Sequence, residues 1–350
     1  MICAEPNLPT QMPNHFPLAR TPERRDVTAA TFREEIIPAN EPVILRGLMA
    51  DWPLVQQAQT SPEAACDCLM QHYRGRTVPL LIGNPAARRH IFYEEGMSGL
   101  NFERRPVSMV DSLRLLLQHV GNAEAPAIYM EAMPLPECLP GFSDAHAMPL
   151  LDATVIPRIW IGNAVKVQTH FDLSRNLACV AAGKRRFTLF PPDQLPNLYP
   201  GPIDFTPGGT PLSMVPLDDP DFERFPRFRQ ALETAQVAEL APGDALYIPY
   251  AWWHHVQSME GFNILINYWW NEQKAPAQPY DSLLHAVLAF RDLPADERKF
   301  WQGMFEYFVF ETEGQALGHL APQQRGHMGP PSPQRDAAIK AILAQAFSRP

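Results

Sequence analysis

Cysteine is scarce in this chain of 350 residues, and its count is odd: Cys3, Cys66, Cys68, Cys138 and Cys179. Five thinly spread cysteines argue against a disulfide scaffold and for a reducing compartment. Cys66 and Cys68 form a lone C-x-C with no second Cys or His pair nearby, so they read as two small residues on a helix, not as a zinc site. Basic runs are also missing. The densest are Lys184-Arg185-Arg186 and Arg24-Arg25, and formal net charge is -9. Such a chain is a poor match for a phosphate backbone, so no nucleic-acid partner is expected. Long apolar runs are absent: nothing approaches the roughly 20 residues of a membrane span. The opening MICAEPNLPTQMPNHFPLAR holds no apolar segment of signal-peptide length. The expected protein is soluble and cytoplasmic, with no membrane partner.

What is abundant is proline. The 38 prolines are about twice the usual share, which suits strands and loops better than long helices. Residues 1–25 are Pro-rich and polar, an expected extended arm. Thr28 to Pro38 opens on a cap-like Thr and reads as helix. EPVILRG (41–47) and TVPLLIG (77–83) read as strands. Ser61 to Tyr73 begins Ser-Pro-Glu and reads as helix, as does Val107 to Val120 with its leucine face. From about 127 to 272, short apolar runs alternate with Pro/Gly turns: AIYM, PRIWIG, KVQTHFDL, NLACVAAG, RRFTLFPP, ALYIPYAWW and FNILINYWW. That pattern marks a sandwich or small barrel. A long Pro/Asp-rich insert at 200–230 interrupts it, of the kind that is functional, disordered or both. Beyond 279 the chain turns helical again to 350. The expected layout is the arm, one domain over 26–278, and a C-terminal helical region over 279–350.

The chemistry centres on Thr169-His170-Phe171-Asp172. On a strand, residues i and i+2 share a face, so His170 and Asp172 point together. Two imidazoles and one carboxylate can hold a metal with open positions, as in non-haem Fe(II) oxygen chemistry. H-x-D alone is a nonspecific signal. The second half is PGDALYIPYAWWHH (242–255), a Pro-Gly-Asp turn that launches a strand into two Trp and two His. Only one of His254 and His255 can face the interior that His170 faces. Asp244 reads as closing the turn.

These segments resemble the JmjC and cupin-like 2-oxoglutarate oxygenases, most closely the asparaginyl hydroxylase that inhibits hypoxia-inducible factor. The likeness runs from about Glu41 to the C-terminus. It is densest in HFDLSRNLACVAAGKRRFTLFPPDQLPNLYPGP (170–202), DDPDFERFPRF (218–228) and PGDALYIPYAWWHHV (242–256). It implies a mainly β fold, a double-stranded β-helix (jelly-roll) core flanked by N-terminal and C-terminal helices. It implies Fe(II) held by His170, Asp172 and His254, which leaves His255 without that role. It implies 2-oxoglutarate beside Tyr129, Asn176 and Asn267. Asn176 stands at the parity of His170 and Asp172 if the strand continues that far. Two positions depart from the pattern. Arg185 stands where the family places a Lys for the distal carboxylate, and Val167 stands where the named relative has a Thr.

Three readings follow. The first is an Fe(II)/2-oxoglutarate oxygenase acting on a protein side chain or a small molecule. The second, motivated by Arg185 and Val167, is a cupin-type metal protein without 2-oxoglutarate turnover. The third is a homodimer through the C-terminal helices, with Phe300, Trp301, Phe305, Phe308 and Phe310 as candidate surface. The insert and Glu131 are expected to shape the opening.

Overall fold

The computed structural model describes residues 18–272 and 276–348. They fall into two compact units that divide between Asn271 and Glu272. Residues 1–17 of the expected arm lie outside the described residues.

The first unit is built from strands β1 (Ala19–Arg20), β2 (Glu23–Arg24), β3 (Val43–Leu45), β4 (Thr77–Gly83), β5 (His90–Ile91), β6 (Phe102–Ser108), β7 (Ile128–Pro134), β8 (Pro157–Gly162), β9 (Lys166–Phe171), β10 (Arg175–Ala182), β11 (Arg185–Phe190), β12 (Gln236–Leu240), β13 (Ala245–Ile248), β14 (Trp253–Ser258) and β15 (Asn263–Trp270). They form two sheets. The smaller is ordered β1-β12-β11-β14-β9-β5, the larger β2-β3-β13-β10-β15-β8-β7-β4-β6. This is the expected jelly-roll arrangement. Its sheets recruit strands from well before residue 127, including β1, β5 and β6, which the sequence pattern does not reveal. The helix expected from Val107 starts at Met109, because Phe102–Ser108 pairs along β4 as a strand.

Three apolar layers hold the unit. Ala178, Val180, Phe187, Leu189, Leu246 and Val256 pack between the sheets. The outer face of the larger sheet is buried beneath the helices Pro53–Thr60, Pro62–Met70 and Met109–Gln118, with Leu54, Leu69, Leu113 and Ile161 among its contacts. β10 is therefore covered on both sides, which explains why it reads as an unbroken apolar run without alternation. The third layer lies outside the smaller sheet. There Val215, Leu217, Phe225 and Phe228 of the insert cover Phe171, Phe190 and Trp253. The insert is thus ordered and packed.

Local chemistry fits each element. Thr28 caps its helix by accepting from Thr31 N, and Ser61 caps the next by accepting from Ala64 N. The turn before β13 places Gly243 at φ 96°, open to Gly at little cost. Asp244 closes it, accepting from Ala241 N, Gly47 N and Arg46. Cys66, Cys68, Cys138 and Cys179 are free and buried. No helix among the described residues is long and apolar enough to cross a membrane.

The second unit carries the helices Pro279–Phe290, Ala295–Phe308 and Pro333–Phe347. None of the three contains a buried residue.

Candidate metal centre

β9 and β14 run antiparallel with His170 directly opposite His254. Their ring centroids are 4.3 Å apart. Asp172 completes the set: its Oδ2 lies 3.6 Å from His254 Nε2. One donor atom from each residue falls within 4.8 Å of the others, a grouping able to hold a metal ion. Asp172 reaches this point by a route other than strand parity. β9 ends at Phe171, and the carboxylate sits on the turn that follows. Asn176 likewise does not continue the parity of His170, since the chain bends through 172–174 before β10 begins.

The donor set is prepared for a cation. His170 Nδ1 donates to Gln168 O at 2.8 Å, and His254 Nδ1 donates to Trp252 O at 3.0 Å. A carbonyl can only accept, so each ring carries its proton on Nδ1 and leaves Nε2 bare. Burial, and then the neighbouring His170, push His254 down to about 4, so the ring is neutral near pH 7, the form a metal requires. Asp172 Oδ2 accepts from Trp269 Nε1 at 3.0 Å and from Asn176 Nδ2 at 3.1 Å. Asn176 Oδ1 in turn accepts from Asn267 Nδ2, and Asn267 Oδ1 from Trp160 Nε1. The expected Asn176 and Asn267 therefore meet, in one chain of bonds that orients the carboxylate. Trp269 and Trp160 are members that the sequence pattern does not single out. Their clue was position: each lies on a strand at the parity of an inward-facing neighbour.

Tyr129 and Arg185 also come together. Both are buried, and Tyr129 stacks on Trp160 at 5.8 Å. Burial raises the Tyr129 phenol, and the adjoining Arg185 guanidinium pulls it back. Arg185 is only 1% exposed. Its Nε and Nη2 have no hydrogen-bond partner among the described residues. These two N–H groups form one edge of the guanidinium, the edge that takes a carboxylate by two parallel bonds. Leaving buried donors bare costs about 1–3 kcal/mol each, so the chemistry of this pocket fits an acid. Gly183 makes the position possible. It lies at φ 69°, and a Cβ there would meet Phe262 O at 2.7 Å.

His255 faces the other way. It is buried outside the barrel near His90, Lys166 and Asp218, and burial with His90 pushes it down to about 3. Lys166 pairs with Asp218 of the insert. Glu131 is held by Arg104 at 2.7 Å, and Arg104 also donates to Pro207 O of the insert. Trp252 and Trp253 are core residues.

Residues 29–275 match the family model described as cupin-like domain. The chain is 27% identical over 302 residues to the lysine-specific demethylase JMJ31 of Arabidopsis thaliana, covering 75% of this chain and 52% of that protein. It is 26% identical over 276 residues to the Jumonji C domain-containing protein 5 of Drosophila melanogaster, covering 74% and 63%. It is 28% identical over 294 residues to the bifunctional peptidase and (3S)-lysyl hydroxylase JMJD7 of Homo sapiens, covering 73% and 85%. The chain thus spans about half the length of the plant relative and under two thirds of the fly one. Among solved structures, E. coli ycfD aligns over 96% of this chain and 70% of its own at 14% identity, with a TM-score of 0.43.

Proposed function

The chain belongs to the cupin-like domain family, and on that premise we propose that it is an Fe(II)- and 2-oxoglutarate-dependent oxygenase that hydroxylates a polypeptide side chain. The observation that carries the reading is the pairing of two features in one barrel. A two-imidazole, one-carboxylate donor set lies in the same barrel as a buried guanidinium with a bare bidentate edge. His170, Asp172 and His254 would hold Fe(II). Arg185 would take the distal carboxylate of 2-oxoglutarate, with Tyr129 beside it. When bound, the pair supplies O2-dependent decarboxylation to succinate and CO2, coupled to placing one oxygen atom on a substrate C–H bond.

The protein's own part is positional. Trp269 and Asn176 hold Asp172, and the carbonyls of Gln168 and Trp252 hold the imidazoles in their ligating tautomer. The apolar layer between the sheets keeps water from the interior. A polypeptide substrate is favoured over a small molecule by the relatives, two of which carry lysine-directed names. The same names favour no special tie to asparagine. Anaerobic Fe(II) with 2-oxoglutarate should give a visible charge-transfer band in wild type and none in His170→Ala. Absence of the band in both ends this reading.

A second reading is a metal protein without 2-oxoglutarate turnover. Val167 favours it, because this position offers a methyl surface to Trp160 and the inner apolar layer where a hydroxyl would help the cosubstrate. Calorimetry that finds metal affinity and no 2-oxoglutarate affinity selects it.

We place the chain in a reducing compartment such as the cytoplasm, in keeping with its free buried cysteines. The chain is also proposed to form a homodimer through its C-terminal helices, whose apolar side chains are exposed: Leu288 is 82% and Phe300 62% accessible.

A further inference from the structure

The pairing of β9 with β14 is irregular just before the metal ligand. His254 faces His170, but Val256 faces Val167. Two steps along β14 span three along β9, so Gln168 and Thr169 together oppose His255 alone. This is a β-bulge. Its effect is directional. Val167 and His170 differ by three and would face opposite sides of a regular strand. With the bulge, Val167 packs into the inner layer and His170 still faces His254.

The bulge is pinned from outside by the insert. Gln168 is fully buried. Its Nε2 donates to Ser213 O at 2.7 Å and to Val215 O at 2.8 Å. Its Oε1 is bonded to His90 Nε2 at 3.0 Å. Thr169 O accepts from Ser213 N at 2.8 Å. Thr210 Oγ1 donates to Phe171 O. Ser213 is fixed in turn, its hydroxyl donating to Leu198 O and accepting from Val215 N. β5 pairs with β9 only at Lys166 and Val167, so the insert completes the strand where its ligand lies. The carbonyl that sets the His170 tautomer belongs to Gln168 itself.

We propose that Gln168 is a positioning residue for the metal centre. Through it the 210–217 segment of the insert sets the height and orientation of His170. On this view the insert is part of the metal site's support. The inference rests on the metal-centre reading above.

Co(II) is the probe, read by its visible ligand-field bands and by titration of the full-length protein. Gln168→Leu should weaken Co(II) about 10-fold or more, in the range seen for groups behind a metal-bound imidazole, and should shift the bands. Gln168→Glu keeps an acceptor for His90 but loses both donor bonds to the insert, and should do the same. Ser213→Ala loosens the insert without altering β9 and carries less risk to folding. It should move the bands in the same direction by a smaller amount. Asn163→Leu is the control for general destabilisation. It removes two buried bonds, to Ile128 N and Pro126 O, away from the ligands, and should lower the melting temperature while leaving the bands in place. If the folded variants keep wild-type bands and bind within twofold of wild type, or if Asn163→Leu shifts both as strongly, the proposal is overturned. Wild type that binds no Co(II) overturns the metal-centre reading, and this one with it.

Discussion

The two units of the chain use apolar residues in opposite ways. In the first, side chains from two sheets, a helical cover and an insert enclose one another, and Leu54, Ile161, Leu189 and Phe190 reach zero exposure. In the second, the three helices bury nothing, and Leu288, Phe310 and Phe347 stay mostly exposed. A sheet covered on both faces can bury every residue of a strand. A few helices offer too little inner volume for their apolar side chains. The first unit therefore encloses its polar chemistry in apolar surface, whereas the second leaves apolar side chains exposed.

That contrast is broken most severely by removing a ligand. His254→Ala should reduce Fe(II) or Co(II) affinity by at least about 100-fold, beyond the 10- to 100-fold typical of groups behind a ligand, with the C-terminal helices unaffected by circular dichroism. Calorimetric titration checks it. Arg185→Leu comes next. The loss of a charged two-bond contact predicts about a 10- to 100-fold drop in 2-oxoglutarate affinity. The cosubstrate-free protein should melt no lower than wild type, because two bare buried donors leave with the side chain. A lower melting temperature without cosubstrate would show that Arg185 has another partner.

Leu288→Asp combined with Phe300→Asp tests the other unit. It should convert a dimer to a monomer by light scattering at micromolar concentration while Co(II) binding stays within twofold. A wild-type monomer would end the homodimer idea.

Acid gives the mildest effect. His254 and His255 are held below the ordinary imidazole value by burial. The unfolded chain then binds more protons than the folded one at acid pH, so their contribution is complete above about pH 6.5 and is lost as pH falls toward 4. Melting temperature should fall across that window, and less steeply in His255→Phe.

Much of this was legible from residue patterns. Alternation and turn chemistry marked most strands from 127 to 270, but β12 escaped. The run from Ala245 to His255, expected as one strand, is broken at 249–252 into β13 and β14 of different sheets. The spacing of His170 and Asp172 suggested two donors, and the resemblance to the JmjC and cupin-like oxygenases implied His254 as the third. β5 and β6 escaped notice, because a two-residue strand has no period and Glu103-Arg104-Arg105-Pro106 has no apolar face. Trp269 and Gln168 escaped for a different reason: an indole N–H or a glutamine amide gains its role from partners about 100 and 45 positions away.

Sequence by itself determined which residues could be ligands and which face of a regular strand each would take, since side-chain parity is a local property of the backbone. Tertiary structure decided the rest. It moved Asp172 off the strand, inserted the bulge that turns His170 inward, and brought His254 opposite it instead of His255. It also left the Arg185 edge bare. Register, bulges and unmet donors depend on what the rest of the chain places alongside, and no local pattern carries that information.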